Sequence, residues 1–524
     1  MRSIRCFPII ILALCQTIPL SCFHINRGES NFFRTKLTTS LVRRTDTAQD
    51  SHQDSTSAPT SPSSVKCVQG PFDPLLQLDS FWGRRPLLIR QAFDFNELEG
   101  IWPSWDDVIN LACPEDLENL AEASKCSVHS DSGDSARLIL HKPDQLDSFE
   151  LEIGPIDPDF QEYIKEDTVW TILVNDVDRY LPAVSDWMDQ DFAFLPRWRR
   201  DDAQVSISPV GGGIGPHVDN YDVFLVQTQG ERVWKVGRET ISVQQESRDL
   251  IPGLNVRILQ ITSANDDLCY EFDEILVKPG DMLYLPPRFV HWGIAKTDGM
   301  TLSVGCRAPS AAELVARVAD AFTNTILTEA SHKRYTDERL LHSFQPYITS
   351  PGSSLSDQAK NEMKQLVRLS VNELLNDDVR WDELVGRLVT EPKRYSDTAL
   401  QPHDSNMEDE DYRLTWGETP ADVLNRILAR GNDQPIAALY RAEGIPVATS
   451  QVITPEGDRL DRIYCYGESY EIKNDDTARS VFWNIERGKP LTRDVVDHAS
   501  VALVSVLEEL IGEGVLYASE DTEV

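Results

Sequence analysis

Three side chains of this sequence have the types and spacing of a mononuclear metal centre. His217 and Asp219 stand two apart in Pro209-Val-Gly-Gly-Gly-Ile-Gly-Pro-His217-Val-Asp219, and on a strand residues i and i+2 point to one face. His291 ends a second stretch, Lys278-Pro-Gly-Asp-Met-Leu-Tyr-Leu-Pro-Pro-Arg-Phe-Val-His291, after a strand and a double-Pro turn. Two His and one carboxylate make a facial triad suited to Fe(II), with positions left open for a chelating co-substrate and dioxygen. The glycines ahead of His217 make a turn where ligand or backbone can approach closely. A His-x-Asp pair alone is a weak signal. His129-Ser-Asp131 has the same spacing in a Ser/Asp-rich loop without a glycine turn and reads as surface. His141, His332, His342, His403 and His498 show no such pairing and read as surface or satisfied core positions. The alternative for the triad itself is a hydrogen-bonded turn in a metal-free barrel.

The elements around the triad are strand-rich. Between 203 and 308, strands are expected over 205–208, 222–227, 232–236, 274–277, 282–285 and 301–306, broken by Gly and Pro, which is the pattern of a barrel or sandwich. The stretch 72–198 is mixed, with short helices over 106–111 and 116–123 and strands over 137–141 and 168–174. Past Pro309 the apolar period becomes 3.6: Leu314, Val315, Val318, Phe322 and Ile326 share one helical face, and further helices are expected over 356–375 and 381–388. Residues 395–412 are polar and acidic. A last module carries helices over 421–429, 478–486 and 499–512, paired strands over 462–466 and 469–472, and a strand over 515–517, an order that suits a winged-helix-like unit. Its final 47 residues hold four basic and nine acidic side chains, which excludes DNA reading and favours packing or dimer support.

Charge narrows the partners. The chain of 524 residues has a formal charge of −35. Residues 1–45 carry seven basic residues and one acidic, so the remainder stands at −41. Such a body repels phosphate backbones and suits a basic protein. The first segment is of another kind. A basic start and an apolar run of about nine residues, too short to span a bilayer, lead into an Arg/Ser/Thr-rich stretch, as in a secretory signal followed by a transit peptide. This two-part leader resembles those of plastids acquired by secondary endosymbiosis. A simple secretory signal or a mitochondrial presequence stays open. Residues 45–66 have spacer composition. Beyond the leader, Cys67, Cys113, Cys126, Cys269, Cys306 and Cys465 form no C-x-x-C pair, the usage of reduced thiols in an organelle interior.

Four blocks in order, GPHVDNYDVF (215–224), GERVWKVG (230–237), KPGDMLYLPPRFVH (278–291) and LSVGCRAP (302–309), resemble the JmjC/cupin-type ribosomal oxygenases. The similarity is greatest to the bacterial branch that hydroxylates an arginine of large-subunit ribosomal protein L-sixteen. It is tight over about 200–310 and looser from Phe72 to the C-terminus, where Arg334-Tyr-Thr-Asp-Glu338 looks like a family landmark. It implies an α+β fold: a double-stranded β-helix (cupin, or jelly-roll) core, a helical dimerisation region and a winged-helix-like module. The corresponding domains are a targeting leader and disordered spacer (1–66), an oxygenase domain (67–310), a dimerisation region (311–394), an acidic linker (395–414) and the C-terminal module (415–524).

The resemblance also implies an Fe(II)- and 2-oxoglutarate-dependent protein hydroxylase, a homodimer acting on a basic ribosomal protein. The acidic charge argues against nucleic acid as a partner, and the lack of a later run of eighteen apolar residues against a membrane. His217, Asp219 and His291 match the iron ligands. Arg232 matches the anchor of the far 2-oxoglutarate carboxylate, and Ser303 a hydroxyl beside it. Asp202 and Tyr221 match residues that hold the substrate arginine; Gln204 stands where the bacterial pattern has Met. That departure keeps histidine open as a target, since animal relatives hydroxylate histidine in an amide-bearing pocket. Demethylation on the same iron site and a non-catalytic scaffold for a ribosomal client are the rival readings. Asn220 and Trp292 flank the ligands with no role assigned.

Overall fold

Side-chain alternation decides which way each strand of the barrel faces. Among the longer strands, Ala203, Val205 and Ile207 enter one core with Phe224, Val226, Met282, Tyr284, Leu302 and Val304. The residues between them, Gln204, Ser206 and Ser208 opposite Ser303, Thr301 and Gly299, form the other face. That period of two is what a sheet covered on both sides requires.

A computed structural model describes residues 64–524 apart from 95–97, 99, 114–135, 144, 146–147, 255–256, 262–269, 323–333, 335–356, 392–418, 429–437 and 520–524. The leader, most of the spacer, the 116–123 helix, the linker, His129, His332, His342, His403, Cys126 and Cys269 therefore lie outside the described residues, as does most of the 334–338 landmark.

The N-terminal half supplies twelve strands: β1 Lys66–Gln69, β2 Leu87–Arg90, β3 Ala136–His141, β4 Phe149–Ile153, β5 Val169–Val174, β6 Arg200–Ser208, β7 Asp222–Gln229, β8 Arg232–Thr240, β9 Phe272–Val277, β10 Met282–Leu285, β11 Phe289–Ala295 and β12 Gly299–Cys306. Nine of them form one sheet in the order β1-β2-β10-β7-β12-β6-β5-β3-β4, and β11-β8-β9 form a second. A single apolar cluster takes Leu88, Val223, Leu225, Leu283 and Leu285 from the large sheet and Trp234, Val236, Ile275 and Val277 from the small one. The two sheets thus face each other over a shared interior, the jelly-roll arrangement expected of the core. The other face of the large sheet is covered by the Trp105–Ala112 and Pro182–Asp191 helices, whose Val108, Leu111, Val184, Trp187 and Met188 join its core.

The fold begins earlier than residue 67. Ser64 donates from its backbone N–H and its hydroxyl to Asp273 Oδ2 at 2.6 and 2.8 Å, Val65 is buried, and β1 pairs parallel with β2 from Lys66. β11 was not separable in the sequence from the turn before it, and β1 and β4 were not anticipated.

After the barrel come helices Ala311–Asp320, Asp357–Leu375 and Asp378–Thr390. The last of these packs into the C-terminal module. Tyr464 lays its ring on Gly386, where a Cβ would come within 2.3–2.5 Å of the ring, and donates to Asp382 Oδ2 at 2.7 Å. The module holds strands β13 Ala438–Arg441, β14 Val447–Ile453, β15 Arg459–Cys465, β16 Glu468–Lys473, β17 Leu491–Thr492 and β18 Leu516–Ser519, in sheets β14-β15-β16 and β17-β13-β18. Helices Pro420–Leu428, Asp476–Glu486 and Val501–Gly512 share one core with them. It is richer in strand than its sequence suggested, because β13 is only four residues long and β14 mixes polar residues into a half-exposed run. No described helix is long and apolar enough to cross a membrane.

Candidate metal centre and active site

His217, Asp219 and His291 come together, with one ligand atom from each lying within 4.8 Å of the others. His217 sits in the segment between β6 and β7, and is joined to β11 by an isolated antiparallel bridge: His217 N–H donates to His291 O at 3.0 Å and His291 N–H to His217 O at 2.9 Å. The same local device aims both rings. His217 Nδ1 lies 2.9 Å from Gly215 O, and His291 Nδ1 lies 3.0 Å from Phe289 O. A backbone carbonyl at Nδ1 fixes the proton there and leaves each Nε2 lone pair for a metal. Asp219 Oδ2 lies 3.5 Å from His291 Nε2. Val218, between the two ligands, turns the other way into a cluster with Ile241, Leu259, Val290 and Trp292, so the i, i+2 rule holds for the pair. Among the described residues this is the sole group of His, Cys, Asp or Glu side chains so disposed.

His291 is buried, and its pKa is lowered to about 4: burial acts first, then the neighbouring His217, against an opposing pull from Asp219. A neutral imidazole at physiological pH is the form that binds a metal. The glycine run serves backbone packing more than ligand access, since a Cβ on Gly213 would lie 2.2 Å from Gly293 O.

Arg232 opens β8, paired with Ala295 just as Trp234 pairs with Gly293 and Val236 with His291. Every second residue of β8 thus shares the interior face with the buried ligand. The Arg232 side chain is fully enclosed, with Nη2 donating to Ser208 Oγ at 2.9 Å and Nε without a partner. Among the described residues no carboxylate pairs with it, and burial pushes its pKa down to about 10. Gly293 makes room, because a Cβ there would lie 2.9 Å from Arg232 Cδ and from the Trp234 ring. An enclosed guanidinium with an orphaned N–H is costly unless an anion completes it. The structure therefore places three side chains that could hold a metal and an enclosed guanidinium that could take an anion in one interior. Ser303 is buried on β12 beside Gln204 of β6 and Leu225 of β7, on the face that carries Ser206 and Ser208.

The three remaining residues lie at the rim. β6 carries one extra residue against β12 between Ala203 and Arg200, a bulge of the kind that re-aims side chains beside active sites. Opposite it is Gly305, and the Cβ that Gly305 lacks would be 3.5 Å from Tyr221 Cε2 and 3.6 Å from Asp202 Oδ1. Asp202 and Tyr221 therefore flank one gap. Asp202 Oδ2 accepts from Asp176 N at 3.3 Å, and Gln204 Nε2 donates to Asn175 Oδ1. Sequence reasoning missed Asn175 and Asp176, which approach from the end of β5 and carry no motif. Asn220 accepts from Arg288 Nη1 at 2.9 Å; Arg288, in the double-Pro turn, was also passed over.

Residues 188–314 match the JmjC domain. The chain carries a JmjC domain. Over 257 residues it is 32% identical to a probable ribosomal oxygenase of Haemophilus influenzae, covering 49% of this chain and 55% of that protein. The chain thus spans about half the length of that relative. Over 393 residues it is 29% identical to the ribosomal protein uL16 3-hydroxylase of Escherichia coli, 73% of this chain and 91% of that one. The solved structure of the E. coli ribosomal oxygenase YcfD in complex with cobalt and 2-oxoglutarate superposes with a TM-score of 0.56 at 22% identity, covering 84% and 97% of the two chains. That likeness shows the fold, a JmjC/cupin core with mixed α+β content.

Proposed function

We propose that the protein is an Fe(II)- and 2-oxoglutarate-dependent dioxygenase that hydroxylates an arginine of a large-subunit ribosomal protein. The observation that carries this reading is Arg232, a fully enclosed guanidinium without a carboxylate partner, opening onto the same interior as the metal triad. A structural arginine so buried would be paired. One that anchors a dicarboxylate co-substrate must wait for it. When bound, Fe(II) with 2-oxoglutarate and dioxygen supplies the oxidation, releasing succinate and carbon dioxide and leaving one oxygen atom on carbon.

The chain's own residues bind and orient. His217, Asp219 and His291 would hold the metal on one face, Arg232 the far carboxylate, and Ser208 and Ser303 line the wall between. Arginine is favoured at the rim by acceptor geometry. Gln204 turns its Nε2 to Asn175, so Oε1 is the end left for a substrate. Two acceptors, this amide oxygen and the Asp202 carboxylate, suit a guanidinium with five donors better than an imidazole. The Tyr221 ring, across the gap, offers a face for the same cation.

The reading includes an organelle, the plastid first, on the strength of the leader composition, and a ribosomal protein as the basic partner of so acidic a chain. It also takes 311–394 as a dimerisation surface. Among the described residues Val315 and Val367 there are 68% and 63% exposed, apolar surface that a second copy of the chain would cover. The winged-helix-like module would brace it.

The test is incubation of the full chain with Fe(II), 2-oxoglutarate and organellar uL16-type fragments, followed by mass spectrometry. One added oxygen placed on Arg by fragmentation is the expected result. Oxygen on His would replace the arginine assignment, and demethylation of a methyl-lysine peptide would redirect the chemistry. Bound iron with no 2-oxoglutarate consumption would favour the scaffold.

A further inference from the structure

The turn that delivers His291 contains a backbone anomaly. Arg288 follows Pro286 and Pro287 and has φ 75°, a region that L side chains rarely occupy. Proline followed by positive φ is the signature of a type II turn, whose third position ordinarily takes Gly or Asn. An arginine kept there calls for contacts that a glycine could not make.

Those contacts converge on the metal segment. Arg288 N–H donates to the carbonyl of Asp219 at 2.9 Å. Its Nη1 donates to Asn220 Oδ1 at 2.9 Å, the next residue along, and its Nε donates to Ile241 O at 3.1 Å. Nη1 also pairs with Glu246, a carboxylate 1% exposed on the Val243–Asp249 helix. Arg257, itself 59% exposed, caps the same carboxylate from outside. The helix is fixed in turn: Ser242 and Gln245 form a reciprocal cap at its start, and beyond it Leu259 N–H reaches Pro216 O at 2.8 Å, one residue before His217.

We infer that Glu246 and Arg288 form a clamp from the helix between β8 and β9 onto the Asn220 side chain, and that this clamp, beside the Arg288 N–H bond to the Asp219 carbonyl, positions Asp219 for the metal. The inference rests on the metal-centre reading but not on any substrate. Asp219 needs such support more than the histidines do. Each imidazole is aimed by a carbonyl on its own strand, whereas the Asp219 side chain is 28% exposed and has no equivalent bond among those of the described residues. Both Arg288 and Glu246 are positioning residues. Neither touches the metal.

The test is anaerobic titration of the full chain with Co(II), followed by its visible absorption, with no turnover required. Glycine takes φ 75° without strain, so Arg288→Gly keeps the turn while deleting the guanidinium. Arg288→Gly and Glu246→Gln are each expected to weaken Co(II) binding on the order of 10- to 100-fold, the usual effect of removing a group that orients a ligand, and to change the band shape. The double variant should lose little more than either single one, because the pair acts as one unit. Arg257→Ala should stay within about twofold of the parent, since Arg257 is itself largely in solvent and the Glu246 carboxylate keeps its pair with Arg288. Cobalt affinity and spectrum unchanged in Arg288→Gly, with Asp219→Ala clearly weakened, would overturn the clamp and leave the centre standing. A parent protein that takes up no cobalt would overturn the centre and the clamp with it.

Discussion

The two ends of the barrel interior are built by different means. At the inner end, His291 and Arg232 are almost wholly enclosed, and the directing bonds come from backbone carbonyls or from a neighbouring strand. At the rim, Asp202, Gln204 and Tyr221 are half-buried; Asp202 is held by the Asp176 N–H beside a bulge and Gln204 by the Asn175 side chain. Enclosed geometry set within the barrel tolerates little change, whereas half-buried rim side chains can be altered residue by residue. The rim is also tied to the C-terminal module. Asp189, on the Pro182–Asp191 helix, lies 2.6 Å from Arg200 at the start of β6 and pairs with Arg441 of β13. Burial alone would raise the Asp189 carboxyl, yet Arg441, Arg197 and Arg200 together hold it below its ordinary value. The bulge that presents Asp202 begins one residue after Arg200. On the proposed function, chemistry at the inner end and selection at the rim are therefore separable in principle.

The largest effect belongs to the inner end. Asp219→Ala should bring peptide hydroxylation to background while a pull-down of the ribosomal fragment persists; lost pull-down would mean that the two ends are not separate. Next is Arg232→Met. Affinity for 2-oxoglutarate, read by calorimetry on the metal-loaded protein, should fall on the order of 10²- to 10³-fold, the cost of losing one side of a buried charge pair. The melting temperature should hold or rise, because Met fills similar volume without a buried charge awaiting its partner. A marked drop in melting temperature would make Arg232 structural. At the rim, Asp202→Ala should raise the KM for the peptide on the order of 10- to 100-fold, the range of one hydrogen bond to a charged group. Its affinity for 2-oxoglutarate should not move.

The tie to the module comes after these. Arg441→Met removes one of three guanidiniums from Asp189, so the loss of stability should lie near the low end for breaking a buried pair, about 3 kcal/mol. Denaturant unfolding measures it. If the bulge depends on this tie, the peptide KM rises with no change in cobalt binding; equal loss at both ends would erase the distinction between them.

The contrast also explains what the sequence could disclose. The inner end was legible because its residues sit in contiguous blocks: two candidate ligands two apart, a third after a strand and a double-Pro turn, and Arg232 two residues past a Gln-Gly turn. Strand spacing made the barrel legible for the same reason. Asn175, Asp176 and Arg288 were not legible. The first two matter through a cross-strand approach from β5, and the third through a backbone angle, and neither leaves a local pattern. β4 and β14 were missed because half-exposed strands such as Phe-Glu-Leu-Glu-Ile and Val-Ala-Thr-Ser-Gln-Val-Ile mix polar residues into short runs. Their partners, not their propensities, make them strands.

The smallest expected effect concerns what lies beneath the metal segment. His141, on β3, is buried and stacked on Phe149 with ring centroids 5.3 Å apart; Phe149 in turn packs against the turn at Gly215, the carbonyl partner of His217. Burial lowers the His141 pKa to about 4 from 6.5, and its Nδ1 has no hydrogen-bond partner. Between those two values the unfolded chain binds a proton that the folded chain refuses. Stability from this residue is therefore complete above pH 6.5 and is lost as pH falls toward 4. From pH 7 to pH 5 the loss from this one group should be about 2 kcal/mol. His141→Phe keeps the stack and removes the proton site, so denaturant unfolding of the two proteins should diverge as the pH is lowered across this window, the variant being the less sensitive. Parallel curves would mean that His141 takes up its proton in the folded state, and that the support under His217 is looser than its packing implies. Cobalt affinity at pH 7 should be the same in both, because an outer prop that is neutral in either case leaves the two backbone carbonyls that aim the histidines where they are.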